Sequence, residues 1–155
     1  MSVELSETER GFHSQCAVVC FNQTWEFLNK TERTPQDNFA MIHLAHASRY
    51  HWGVVGEAVN WSRGEWQIAR VYAVAGRGEA SLVHAQENLR LCEAHGIGDF
   101  DLAFAYEALA RAYAVLGEGA LRDVCLAQAR AASAEIVDDE DRALLLSDLE
   151  TIPRA

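Results

Sequence analysis

Two nine-residue segments constrain this chain more than anything else in it. Arg70-Val-Tyr-Ala-Val-Ala-Gly-Arg-Gly78 and Arg111-Ala-Tyr-Ala-Val-Leu-Gly-Glu-Gly119 agree at Arg, Tyr, Ala, Val and both glycines, 41 residues apart. The agreement runs back to Ile68-Ala69 against Leu109-Ala110 and forward to Val83 against Val124. Repetition at such a spacing marks one supersecondary unit stacked on copies of itself. Apolar residues recur every three or four positions, alternating runs are few, and there are only two prolines. That pattern favours helices and leaves almost no room for strands.

The boundaries are legible. Ser6 with Glu9 three residues on is a capping-box start, and Phe12, Cys16, Val19, Gln23 and Phe27 then recur at helical spacing to about Asn29, with Cys20 and Leu28 widening the stripe. Thr34-Pro35-Gln36-Asp37 opens a second helix, with Thr34 as cap and Pro35 in the first helical position, running to about Trp52. Gly53 and Gly56 then break or bend it. A third helix ends at Gly76, and a fourth, about Glu79 to Ala94, carries Leu82, Val83, Ala85, Leu89 and Cys92. Asp99, after Gly96-Ile97-Gly98, suits the cap of a fifth helix that closes at Gly117. A sixth reaches about Val137, and Asp138 caps a short last one with Leu144, Leu145 and Leu149. The expectation is all-α: about seven helices joined by short connections, sequential ones antiparallel, in a single domain over residues 1–155 with frayed ends at about 1–5 and 152–155.

At the repeated residues the chain resembles the tetratricopeptide family, over roughly residues 57–137. The residues that carry the resemblance are Ile68-Ala69, Tyr72 and Gly76, then Tyr106, Leu109-Ala110, Tyr113 and Gly117. A small residue beside a bulky one lets helices approach, the Tyr fills the gap between units, and glycine closes the first helix. The spacing is longer than that family's about 34 residues. The resemblance implies stacked helical hairpins and a binding or scaffolding role.

The net charge of −10 argues against nucleic-acid or anionic-membrane partners, which need basic patches. The acidic, polar opening MSVELSETER does not read as a signal peptide, and no apolar run is long enough for a membrane span, so a soluble, cytoplasmic protein is expected. Cys16, Cys20, Cys92 and Cys125 sit inside helical patterns without a CxxC pair and read as small core residues. There is no GxSxG, phosphate-cradling loop or dinucleotide fingerprint.

Candidate chemistry gathers between His43 and Arg70, which holds three of the six histidines and three of the four tryptophans. His43 and His46 share a helix face, with Tyr50 one turn on, and a carboxylate from Glu57 or Glu26 would complete a metal site. No cofactor is expected, a transition metal at His43, His46 and Glu57 being the alternative. Asn60, Arg63, Gln67 and Arg70 form a polar stripe beside Trp61 and Trp66. Antiparallel packing would bring His46, Arg49 and His51 towards Asn60 and Arg63.

A ligand surface on the second and third helices would therefore comprise Arg49, Tyr50, Trp52, Asn60, Arg63, Trp66 and Arg70, taking a protein or peptide, or a small anionic or aromatic ligand. Packing alone also accounts for Trp61 and Trp66. The competing reading is a small cofactor-free or metal-dependent enzyme using His43, His46 or His51 with Arg49 and Arg63. His84 and His95 read as solvated or capping residues. A terminal hairpin of such a stack has an apolar face to cover, which implies a homodimer through the first or last helix.

Overall fold

The computed structural model describes residues 4–154. Seven helices make up the described residues: α1 Glu7–Leu28, α2 Pro35–Val55, α3 Ala58–Val74, α4 Gly78–His95, α5 Asp99–Leu116, α6 Gly119–Ser133 and α7 Asp139–Glu150. None is long and apolar enough to cross a membrane. The expected capping boxes form. Ser6 Oγ accepts from Glu9 N at 3.2 Å, and Thr34 Oγ1 accepts from Asp37 N at 3.1 Å ahead of Pro35. Asp138 caps α7 in the same way. Gly76 and Gly117, the repeated glycines, both take φ +75°, a left-handed turn that lets each hairpin reverse.

The helices pair as α1/α2, α3/α4 and α5/α6, and each hairpin packs on the next through α2 with α3 and α4 with α5. Among the described residues the odd-numbered helices also pack closely on one another in sequence, whereas α2 and α4 stand further apart and meet through side chains, His46 against His84 at 5.3 Å. The stack therefore curves, with α1, α3, α5 and α7 along its inner side. Alanines permit the close approach: Ala69, Ala103, Ala105, Ala110 and Ala112 are all buried, next to Ile68 and Leu109. One apolar cluster joins α3 to α7 around Phe104, Leu109, Leu126 and Leu145; a second, around Met41, Ile68 and Val71, joins α2 to α3.

Several boundaries and faces differ from the sequence expectation. The expected α1 stripe is only partly inward: Phe27 and Leu28 pack against the second cluster and Cys16 and Cys20 are half-buried, but Phe12 is 60% exposed and Val19 is also exposed, while Ala17 and Thr24 are buried. Ser48 Oγ donates to the Ala17 carbonyl at 2.8 Å on the buried side, in the outermost hairpin, which has a neighbour on one side only. Helix α2 runs through Gly53 and ends at Gly56. Val83 on α4 faces outward. Asp99 is the first residue of α5 with φ 52°, and Gly98 is the cap; the Asp99 carboxylate accepts from Phe100 N and Val137 N. Of the expected frayed ends, residues 1–3 and 155 lie outside the described residues, and Ile152 is buried against the core.

Candidate functional site

The inner side of the stack holds a cleft of about 410 Å³. Helix α3 supplies its floor through Ser62, Arg63, Trp66, Arg70 and Val74, a run of about 18 Å at 1.5 Å per residue. Phe21, Trp25 and Leu28 of α1, with its C-cap Asn29, form one wall; Phe100, Asp101 and Phe104 of α5, with Leu144 and Asp148 of α7, form the other. Aromatic rings line the middle: Trp25 meets Trp66 at 5.7 Å between centroids, and Trp66 meets Phe104 edge-on at 5.6 Å. Such concave, mostly apolar volumes with a few polar groups are the usual form of a ligand site.

The charges at the cleft are tied down in pairs. Arg63 grips Asp101 with two hydrogen bonds, 2.8 and 3.1 Å, and that carboxylate raises its guanidinium above the ordinary value. Arg70 lies over the Trp66 ring at 5.0 Å and bonds both Glu107 and Asp148. Burial works against its charge, but the two carboxylates outweigh burial and hold its value up. Beneath the cleft, Asn88 is 1% exposed. Its Oδ1 accepts from Ser62 Oγ at 2.8 Å, while its Nδ2, like Arg70 Nε, has no protein partner. A buried polar group without a partner costs free energy, which makes these two donors the natural anchor for an acceptor in the cleft.

Three of the expected ligand residues, Arg63, Trp66 and Arg70, belong to this cleft. The rest lie elsewhere, because α2 packs on the outer side of α3. Arg49 Nε bonds Glu65 Oε1 at 2.8 Å and lies against Gly64, where a Cβ would stand 2.8 Å from Arg49 Cδ, so it turns away from Arg63. Asn60 Oδ1 caps its own helix by accepting from Glu57 N at 3.0 Å. Trp52 offers its carbonyl to Trp61 Nε1, closing the α2–α3 corner, and Tyr50 is 65% exposed beside His51.

Nor do the candidate catalytic histidines share one environment. His43 is exposed. His46 Nε2 bonds Tyr72 Oη at 2.9 Å, and His51 Nδ1 lies 2.7 Å from His13 Nδ1 on α1. Burial, then His84, lowers the His46 value; burial, then His13, lowers that of His51. Among the described residues no three His, Cys, Asp or Glu side chains gather to hold a metal ion, and Glu26 and Glu57 are both exposed.

His84, expected to be solvated, instead bonds Glu65 Oε2 through Nδ1 at 2.6 Å and stacks on Tyr72 at 5.7 Å. Glu107, one of the carboxylates the sequence offered as a partner for Arg63 or Arg70 along with Glu57 and Glu65, pairs with Arg70. Sequence reasoning missed Trp25, Asn88 and Phe104. A signal for Trp25 was present: Trp25 and Glu107 stand 41 residues before and after Trp66, the repeat spacing, as Asp148 stands 41 beyond Glu107.

Fold and cleft together define a curved stack of helical hairpins with an aromatic cleft on its inner side. Compared with protein-family models, curated proteins and solved structures, the chain matches none.

Proposed function

We propose that this is a small binding protein of tetratricopeptide-like build whose ligand occupies the inner cleft. The observation that carries the reading is the cleft itself, a partly enclosed aromatic channel floored by α3, with the unpaired Asn88 Nδ2 and Arg70 Nε at its base. The repeated Tyr72/Tyr113 and Gly76/Gly117 positions support the family likeness. The ligand is an apolar or aromatic group carrying a hydrogen-bond acceptor, presented by a peptide or a small molecule; a cytoplasmic setting fits the free cysteines. Exposed Phe12, Val18 and Val19 on α1 support a homodimer as part of the same reading.

The test uses anilinonaphthalene sulfonate, an anionic aromatic probe, followed by the indole N–H resonances. Binding is expected to shift Trp25 and Trp66 and to leave Trp52 and Trp61 in place. Trp25→Ala, whose ring has no side-chain hydrogen bond to lose, weakens it about tenfold or more. Shifts confined to Trp52 and Trp61 would sink the proposal.

One observation favours an enzyme instead. Glu65 orients His84 through Nδ1, leaving Nε2 as a base at a surface recess lined also by Gln86, Glu87 and Arg90. Hydrolysis of p-nitrophenyl acetate that is lost in His84→Ala, and kept in His43→Ala, would support that reading over the first.

A further inference from the structure

The selectivity of the inner cleft, which rests on its reading as a ligand site, is set by two unpaired donors and a closed set of charges. Asn88 lies at the base of the cleft and is 1% exposed. Its Oδ1 accepts from Ser62 Oγ at 2.8 Å, and the Cys92 thiol stands 3.9 Å from the same oxygen. Burial raises that thiol, so it keeps its proton. The oxygen end of the amide is thereby engaged within the protein, and Nδ2 is left with two hydrogens and no partner. Arg70 Nε, one turn beyond Trp66 on α3, is a second donor without one. Among the described residues, these two are the buried side-chain polar atoms of the cleft lining that lack a partner, and both are donors.

The charges add a second constraint. At the cleft and directly behind it, Arg63, Arg70 and Arg111 face Asp101, Glu107 and Asp148, three against three, and every one is paired. An ionic ligand would enter a balanced set, and its own charge would stay uncompensated where water is partly excluded. A peptide main chain is also a poor match. Each of its residues brings an N–H along with a carbonyl, while the unpaired groups buried at the base of the cleft are donors alone. We infer that the cleft takes a small, flat, uncharged ring compound with a carbonyl oxygen at its edge, of the aryl-ketone or quinone kind, in preference to a carboxylate or a peptide. The ring lies against Trp25 and Trp66, whose centroids stand 5.7 Å apart, and the carbonyl accepts from Asn88 Nδ2. That bond removes the cost of leaving a buried donor unpaired.

Prodan, an uncharged naphthalene bearing one ketone, is the probe. It is set beside N-phenyl-1-naphthylamine, uncharged and without a carbonyl, and the anionic anilinonaphthalene sulfonate. Titrated into the intact chain and followed by emission, prodan is expected to bind about tenfold or more tighter than either of the others. Asn88→Leu, which keeps the side-chain volume and loses both N–H groups, should bring prodan down to the level of N-phenyl-1-naphthylamine and leave the latter's own binding unchanged. Helical circular dichroism reports that the variant stays folded, and the ranking of the three probes on the unaltered chain does not depend on it. A sulfonate or ketone-free probe that binds as tightly as prodan, or a prodan advantage that survives Asn88→Leu, overturns the neutral-carbonyl assignment. The cleft itself then stands as the ligand site as long as the probes still shift the Trp25 and Trp66 indole resonances. Indole resonances of Trp25 and Trp66 that move with none of the three overturn the cleft, and the assignment with it.

Discussion

Trp66 Nε1 donates to Glu107 Oε2 across 3.0 Å, and the two residues hold equivalent positions in successive units, 41 residues apart. Arg70 and Arg111, equivalent in the same way, both bond Glu107 Oε1, at 3.1 and 2.7 Å. Arg70 reaches on to Asp148 of α7, and Arg111 to the Asp148 carbonyl. One fully buried carboxylate thus registers α3, α5 and α7 against each other and fixes the wall of the cleft. Burial alone would raise its value; the two guanidiniums and the indole N–H outweigh burial and hold it below the ordinary range.

Glu107→Ala should therefore be among the most damaging single changes. It leaves Arg111 without a counter-charge and Arg70 with Asp148 alone, a loss on the order of 3–5 kcal/mol for a broken buried pair. Replacing Trp66 and both arginines with apolar residues along with Glu107 should recover much of that, since the loss comes from the stranded cations. Urea denaturation of the single and combined variants checks it.

Gly78 and Gly119 match in the repeat, yet they meet different surroundings. A Cβ at Gly78 would stand 2.8 Å from Leu116 Cγ and Cδ2 and 3.2 Å from the Leu116 backbone N. At Gly119 its nearest contact is Arg122 Nη2, at 3.6 Å. Gly78→Ala should destabilise by about 1–3 kcal/mol through overpacking between α4 and the end of α5. Gly119→Ala should fall within about 1 kcal/mol of neutral, on the stabilising side, because alanine favours helix. Thermal midpoints of the two variants decide; equal losses would show that the repeat, and not the contact, sets the requirement.

The architecture was legible where local chemistry determines it. Ser6-Glu9, Thr34-Pro35 and Asp138 start helices through their own side chains, and Gly76 and Gly117 end them, so these signals survive without knowledge of the fold. The site was half legible. Arg63, Trp66 and Arg70 stood out as residues, but their partners Asp101, Glu107 and Asp148 lie 37 to 78 positions away for the pairs they form. Helix periodicity cannot say which side of α3 faces α2 and which faces α5. That choice sent Arg49 to Glu65 and left Arg63 for the cleft. His13 meets His51 only because α1 and α2 are antiparallel with Ser48 beside Ala17, a register that composition does not encode.

Thiol reactivity should follow burial. Cys92 and Cys125 are buried, and burial raises both thiols above their ordinary value; Cys20 is raised as well, by burial and then by Cys16. Only the thiolate reacts. In the native protein, iodoacetamide should label Cys16 first and Cys92 and Cys125 last, and mass spectrometry of timed samples reads the order. Early labelling at Cys92 would mean that α4 opens from α3 far more often than its packing suggests.

Stability should fall with acid in two steps. Burial, then His84 and His43, keeps the His46 imidazole below its ordinary value despite the opposing Glu65 charge, and burial, then His13, does the same for His51. The unfolded chain, with imidazoles near about 6.5, takes up these protons first. Their contribution is whole above pH about 6.5 and is lost as the pH falls through the lower folded values. Glu107, also depressed, behaves alike at lower pH: its share is present above an unfolded value of about 4.3 and disappears as the pH falls through the folded one. Thermal unfolding in metal-free buffer should give a level midpoint from about pH 8 to 7, a first decline below about 6.5 and a steeper one below about 4.3. His46→Leu should flatten the first decline and leave the second. A midpoint that instead rises on acidification towards pH 6 would mean that His46 and His51 are charged in the folded protein, and that the His46–Tyr72 and His13–His51 contacts do not form as described.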